Sequence, residues 1–495
     1  MEKLYLMFPE ELGEIAPEVY GHFSEHIGGV IYDGIWVGKD SEVENVHGFR
    51  KFLIDKFAAI HPPVLRWPGG CFAETYDWRD GIGKGRPVRP NWWTRNDNRY
   101  ESNEVGTHEF MEFCELVGTK PYLAANLTSV TPLHVRDWID YCNSPEGTTS
   151  YAKERAENGH PAPFDVKYWG IGNENWGGGG NMTPEYYAME YRRFSALADN
   201  LPGDKILIAC GPNGADYGWT KGFMESMADS EKHMQGFSLH YYCAFAGDPV
   251  AFSRDEWYQQ LQQALWMEDI LKRHWSIIEG YGMQVWSKLV IDEWGCWHPN
   301  GFGPSRGFNL FEQQSTMRDA MVTALTLNIF NNHCDKIMMA NVAQLVNNLH
   351  ALFLAGGKDC IVTPTYHVFD MYKGHQGATA IRTAVKQQKV AFTDKQGREA
   401  GIDNLSVSAS CKCGSVTITI ANLSAEEDSR LLLTPVGRQF CDVAKMQVLA
   451  EEDYHAHNTF EEPERVLPKT QTVDLREEIV IPRAGIVSIE AKIRE

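Results

Sequence analysis

The chain has 495 residues, 43% hydrophobic and 23% charged, enough for one large domain and a smaller one, each with a buried core. Its 46 basic and 66 acidic residues leave a net charge of −20, which repels phosphate backbones, and no basic cluster interleaves with aromatic residues, so nucleic acid is not an expected partner. No run approaches the roughly 20 apolar residues of a membrane span, and the first residues carry neither a basic region nor a cleavage site, so neither a membrane anchor nor a secretory leader is expected.

The 11 cysteines are odd in number and scattered through apolar segments, a pattern of reduced thiols in a cytoplasmic protein rather than of a disulfide framework. The closest pair, Cys411 and Cys413, has no second pair or histidine at zinc-site spacing. The sequence therefore predicts no metal and no organic cofactor.

Taken in order, eight strand-like runs alternate with helix-like segments: residues 19–24, 64–68, 121–127, 166–171, 205–210, 236–242, 288–293 and 336–342. Eight repeated strand and helix units predict a closed (β/α)8 barrel. Between them, residues 109–117 carry apolar side chains at helical spacing, with Thr107 as cap and Gly118 as stop. Residues 184–197 read the same way behind Thr183, with proline in the first helical position. Residues 255–279 and 311–330 read as two further helices.

After about residue 371 the texture changes. Short alternating runs such as 405–410, 415–420 and 485–491 are separated by Gly, Asp, Asn and Pro turns, which predicts a jelly-roll-like β-sandwich. The expected domains are a catalytic barrel over residues 16–378 and a sandwich over 379–495, packed directly against each other, with residues 1–15 supplying a strand to the sandwich.

Function in such a barrel belongs at the carboxyl ends of the strands. The stretch Tyr168-Trp-Gly-Ile-Gly-Asn-Glu-Asn-Trp176 ends the fourth run on Asn173 and Glu174, between Trp169 and Trp176, and the seventh run ends on Glu293. Two acids at two strand ends suggest glycoside hydrolysis, in which one carboxyl attacks the sugar and the other transfers a proton. Glu174 is assigned as acid/base and Glu293 as nucleophile. Arg66, at the end of the second run, is placed to hold the nucleophile ionised, and Tyr242 to donate to it. Glu25, at the end of the first run, is a candidate acceptor for sugar hydroxyls, with a surface ion pair as its alternative. Strand alternation turns Asp292 toward the helices, His240 reads as a core histidine, and residues 177–180, four glycines, read as a flexible loop.

At these residues the chain resembles a known family. Tyr20-Gly-His-Phe-Ser-Glu-His26, Leu65-Arg-Trp-Pro-Gly-Gly-Cys-Phe-Ala73, the fourth-strand stretch, Ser238-Leu-His-Tyr-Tyr242 and Ile291-Asp-Glu-Trp294 are similar to motifs of the intracellular α-L-arabinofuranosidases of glycoside hydrolase family 51. The similarity spans nearly the whole barrel. It implies a retaining, exo-acting hydrolase that removes terminal α-L-arabinofuranosyl groups from arabino-oligosaccharides or arabinoxylan fragments. It also implies sugar contacts from Glu25, Asn173 and Tyr242, Arg66 beside the nucleophile, Trp176 and Trp297 lining the pocket, and a hexamer.

Two positions depart from that pattern. Cys71 stands where many members carry a sugar-binding Asn, and His350 where some supply a Gln. Cys71 and Cys210, both at strand ends, are also candidates for a bridge. The alternatives at this stage are a β-xylosidase or β-1,4-glucanase using the same two acids, or a non-catalytic sugar-binding barrel.

Overall fold

The computed structural model describes residues 2–97, 99–201, 203–230, 234–244, 246–298, 310–441 and 443–494. Eight parallel strands close into a barrel in sequence order: β1 (Gly21–Phe23), β2 (Val64–Trp67), β3 (Lys120–Ala125), β4 (Tyr168–Ile171), β5 (Ile206–Ala209), β6 (Gly236–Ala244), β7 (Lys288–Trp297) and β8 (Ile337–Ala343). All eight predicted runs are present, and β8 pairs back onto β1. Inside the barrel, Val64, Tyr122, Tyr168, Ile208, Val290 and Met339 form one buried layer. This apolar floor lies below the polar residues at the carboxyl ends of the strands.

The helices start where side chains satisfy their first free N–H groups. Thr183 caps Pro184–Asp199, Ser253 and Glu256 form a capping box for Arg254–Gly280, and Thr316 and Asp319 do so for Met317–Asn332. Thr107, expected to be a cap, is instead the first residue of Thr107–Val117. The Glu109 carboxylate accepts from the Gly106 N–H, while the Thr107 hydroxyl accepts from Trp138 Nε1 at 3.2 Å. Helix Met317–Asn332 begins six residues later than residue 311, because residues 311–316 run along the barrel mouth, where Gln313 bonds to the end of β7.

The C-terminal strands form a ten-stranded sheet. The N-terminal strand Glu2–Glu14 lies within it, antiparallel to Thr379–Val385 and parallel to Ser429–Val436. Leu4 and Leu6 pack there with Val407, Ile418, Ile420 and Leu433 in a second core. The sheet domain touches the barrel through buried polar contacts. Asn328 accepts from the hydroxyls of Ser408 at 2.9 Å and Thr419 at 2.8 Å and donates to Ser406 at 3.2 Å. Trp257 Nε1 donates to the Leu423 carbonyl at 3.0 Å.

Asn328→Ala leaves two buried hydroxyls without their shared acceptor. A loss of about 2–3 kcal/mol follows from the cost of unsatisfied buried groups, measured as a lower thermal midpoint with the circular-dichroism spectrum retained.

Candidate active site

Glu293 sits near the end of β7, buried, with three partners. Arg66 Nη1 of β2 donates to its Oε1 at 2.8 Å, the Tyr242 hydroxyl of β6 donates to its Oε2 at 2.8 Å, and His240 Nδ1 stands 3.5 Å from Oε2. Burial by itself pushes the carboxyl pKa up, but the charges of His240 and Arg66 and the two hydrogen bonds outweigh it and hold Glu293 below the ordinary carboxylate value.

The reason these side chains converge is a β-bulge. Leu239 pairs with Ile291, but the next residue, His240, pairs with Glu293, so Asp292 is an extra residue in β7. Alternation is broken there, and Asp292 does not turn toward the helices as expected. It points into the barrel, accepting from the Tyr122 hydroxyl at 2.9 Å and from Asn341 Nδ2 at 3.1 Å, with Arg66 Nε 3.8 Å away. Arg66 therefore meets two acids. It also donates to Asn173 Oδ1 at 2.6 Å and lies over the Phe23 ring at 4.6 Å.

Glu174 follows β4 on a left-handed backbone, with φ of 44°. Its Oε1 is 3.0 Å from His240 Nδ1, and the Cys71 thiol donates to its Oε2 at 3.7 Å. His240 is thus no ordinary core histidine, since it faces both acids. Burial pushes its pKa down, but the charges of Glu293 and Glu174 outweigh that and leave it above the usual histidine value. A carboxylate oxygen of Glu174, one of Glu293 and a nitrogen of His240 all lie within 4.8 Å of one another.

The four glycines after Trp176 form a hydrogen-bonded turn rather than a loose loop. Gly177 N and Gly179 N both donate to the Glu174 carbonyl, at 2.8 and 3.0 Å. A Cβ on Gly179 would lie 1.8 Å from the Asn173 carbonyl oxygen, so only glycine allows this approach. Trp169 is turned away from Glu174, its ring packed against Trp138 at 5.5 Å, whereas Trp176 is half-buried.

Glu25 is buried, which rules out a surface ion pair. Its Oε1 accepts from Phe72 N at 2.9 Å and Trp93 Nε1 at 3.1 Å, and its Oε2 from Gln344 Nε2 at 3.2 Å. Trp297 stacks edge-on to Tyr242 at 5.4 Å and meets Phe311 at 4.8 Å, and Phe311 meets Trp93 at 5.8 Å, so aromatic rings follow one another around the mouth from β6 to the loop after β2. Cys71 and Cys210 are both free thiols. His350 lies behind β7, accepting from Cys296 N at 3.2 Å and bonded to the Thr323 hydroxyl at 2.7 Å.

Several of these residues were not singled out from the sequence. Gln344 directly follows β8 and Trp93 follows Trp92 in the loop after β2. The strand-end rule alone points to Gln344; nothing local marks Trp93. A second cluster, Cys296, His298 and Asp319, has donor atoms close enough for a metal. However, His298 Nε2 bonds to Asp319 at 2.9 Å and its Nδ1 faces Arg318 Nη2 at 3.3 Å. With both ring nitrogens engaged and a guanidinium beside them, the cluster is a hydrogen-bonded network.

Burial, reinforced by the charge of Glu293, raises the Glu25 pKa from 4.5 to about 7. The folded chain then keeps a proton that the unfolded chain releases above 4.5, so this group's contribution to stability is full below 4.5 and is lost as pH rises through 7. The slope is about 1.4 kcal/mol per pH unit within that window. Thermal melts from pH 5 to 8 are expected to show the wild type losing stability relative to Glu25→Gln; parallel curves would refute it.

Comparison with known proteins agrees with this geometry. Residues 56–247 match the sequence family described as the α-L-arabinofuranosidase 1 domain, and residues 292–483 match the α-L-arabinofuranosidase C-terminal domain. An intracellular exo-α-L-arabinofuranosidase of Bacteroides ovatus is 37% identical over 96% of this chain and 93% of its own. The crystal structure of the GH51 arabinofuranosidase of Xanthomonas axonopodis pv. citri superposes with a TM-score of 0.92 at 35% identity, covering 99% of this chain and 100% of that one. An α-L-arabinofuranosidase of Thermotoga maritima, solved as an arabinose complex, gives 0.87 at 28% identity, covering 99% and 100%. With this similarity along its full length, the chain belongs to the α-L-arabinofuranosidases of glycoside hydrolase family 51.

Proposed function

We propose that the protein is a retaining, exo-acting α-L-arabinofuranosidase that releases terminal α-L-arabinofuranosyl groups from arabino-oligosaccharides or arabinoxylan fragments. The observation that carries this reading is the approach of Glu174 and Glu293, whose carboxylate oxygens come within 4.8 Å. Retaining glycosidases hold their two carboxyl groups about 5–5.5 Å apart, whereas inverting ones separate them by roughly 6.5–9.5 Å to admit a water.

The differing environments divide the roles. Glu293, held ionised by Arg66, Tyr242 and His240, attacks the anomeric carbon. Glu174 donates its proton to the departing glycosidic oxygen, leaving a sugar ester on Glu293. In the second step Glu174 takes a proton from water, which attacks the same carbon and frees Glu293. His240 touches both acids and balances the negative charge as it moves between them.

Asn173 supports a sugar-binding role. Its Oδ1 is held by Arg66, while its buried Nδ2 has no hydrogen-bond partner in the protein, leaving a donor for a substrate hydroxyl. Glu25 and Tyr242 complete the polar contacts, Cys71 adds a weak thiol donor beside Glu174, and Trp176 and Trp297 give the pocket apolar walls. The catalytic unit spans residues 16–378, with 379–495 and the strand from residues 1–15 as the sheet domain. Eleven free thiols and a relative named intracellular support a cytoplasmic location and short oligosaccharide substrates. Family resemblance supports a hexamer, for which light scattering is expected to give about six times the 56.0 kDa chain mass.

Activity on an aryl α-L-arabinofuranoside, with none on an aryl β-xyloside or a soluble glucan, is expected, and the first-formed sugar should retain its anomeric configuration by proton NMR. Inversion would sink the mechanism. Glu293→Ala is expected to abolish turnover, and Glu174→Ala to lower kcat/KM about 10³-fold on an oligosaccharide while sparing a dinitrophenyl glycoside, whose leaving group needs no proton. Near wild-type activity of either variant on the oligosaccharide would reject the assignment.

A further inference from the structure

A third glutamate belongs to this site without facing the sugar. Glu74 lies in the single-turn segment Cys71–Thr75 after β2 and is completely buried. Its two oxygens accept hydrogen bonds from four neutral amide groups. Oε2 takes the Leu127 and Thr128 backbone N–H groups at 3.0 and 2.8 Å, and Oε1 takes Asn173 N at 2.5 Å and Asn175 Nδ2 at 3.2 Å. No cation pairs with it among the described residues. A buried carboxylate is costly unless its acceptor sites are filled, and here they are filled by the loops that follow β3 and β4.

The placement of those donors is what matters. Asn173 and Asn175 flank Glu174, so a single oxygen of Glu74 grips the chain on both sides of it. Glu174 needs such a grip. Its φ of 44° is a left-handed backbone that costs a side-chain-bearing residue about 1–2 kcal/mol and persists only where the surroundings over-determine it. Asn175 extends the hold, since its Nδ2 also donates to the Gly179 carbonyl at 2.6 Å. Gly172, with φ of 88°, leaves room for the Asn175 side chain, whose Oδ1 is 2.2 Å from where a Cβ would stand.

We propose that Glu74 is a positioning residue for the general acid: its carboxylate locks the Asn173–Asn175 turn so that Glu174 is presented to the leaving oxygen. This rests on Glu174 being the acid/base. The role predicts a selective defect. Losing the lock should impair protonation of a poor leaving group and spare a step that needs no proton, whereas a merely structural role would lower both together.

The test compares kcat/KM, which reports the first, sugar-transferring step, for an alkyl α-L-arabinofuranoside and a 2,4-dinitrophenyl one. In Glu74→Gln, the amide nitrogen must face two N–H groups. The alkyl substrate is expected to lose about 100-fold, on the scale of a misplaced catalytic group, and the dinitrophenyl substrate less than about 5-fold. Should that variant fail to fold, Asn175→Ala, which removes one donor to Oε1, is expected to show the same selectivity at smaller size. Equal losses on both substrates, or none, in whichever variant folds would overturn the proposal. Glu174→Ala separates the two ideas. If it too lacks leaving-group selectivity, the acid/base reading itself fails; if it alone is selective, only the role of Glu74 fails.

Discussion

The site depends on one buried guanidinium. Arg66 is almost inaccessible to solvent, and in that setting its charge holds Glu293 at 2.8 Å, has Asp292 at 3.8 Å and fixes the Asn173 amide at 2.6 Å. Buried carboxylates outnumber buried cations here: Glu25, Glu74, Asp292 and Glu293 are all buried, against Arg66 and a histidine shared between the two acids. Such an excess is tolerable only if charge is divided unequally. Glu293, nearest the cation, stays ionised; Glu25, farther from it and beside another negative charge, is driven toward its protonated form. The negative charge is thus concentrated on Glu293, the carboxylate that Arg66 contacts directly.

Arg66 could not serve both acids on a regular strand. In a regular strand consecutive residues point to opposite faces, and Asp292 would be lost to the helices. The bulge in β7 puts Asp292 and Glu293 on the same side, one below the other, so that Tyr122, Asn341 and Arg66 hold the lower acid while Arg66, Tyr242 and His240 hold the upper. Bulges recur next to active sites because they re-aim a side chain without moving the sheet. The lower acid is part of the support of the upper one.

The acid on the other side is placed by different means. Glu174 belongs to a turn beyond β4, and its orientation comes from the glycine turn behind it, the Glu74 carboxylate below and His240 in front. Each strand end contributes at most one or two groups, and the function emerges from their overlap. The sheet domain meets the opposite, helical side of the barrel wall through Asn328 and Trp257.

Much of this was legible in the residues themselves. Eight apolar runs, each bounded by turn residues, specify eight strands because burial on both faces requires continuous β-branched and aromatic stretches. The location of Glu174 and Glu293 at the ends of two such runs follows from the same local pattern, as does the Thr183 cap of helix Pro184–Asp199. What the sequence could not express is anything that depends on a register between strands or on atoms meeting across the barrel. A bulge is a mismatch between two chains, so Asp292 looked outward until β6 was laid beside β7. His240 looked like a core residue because its partners lie 66 and 53 positions away. Glu74 carried no local sign at all, since its four donors come from loops after two other strands. Periodicity records which face a residue buries; only the closed barrel decides what it is buried against.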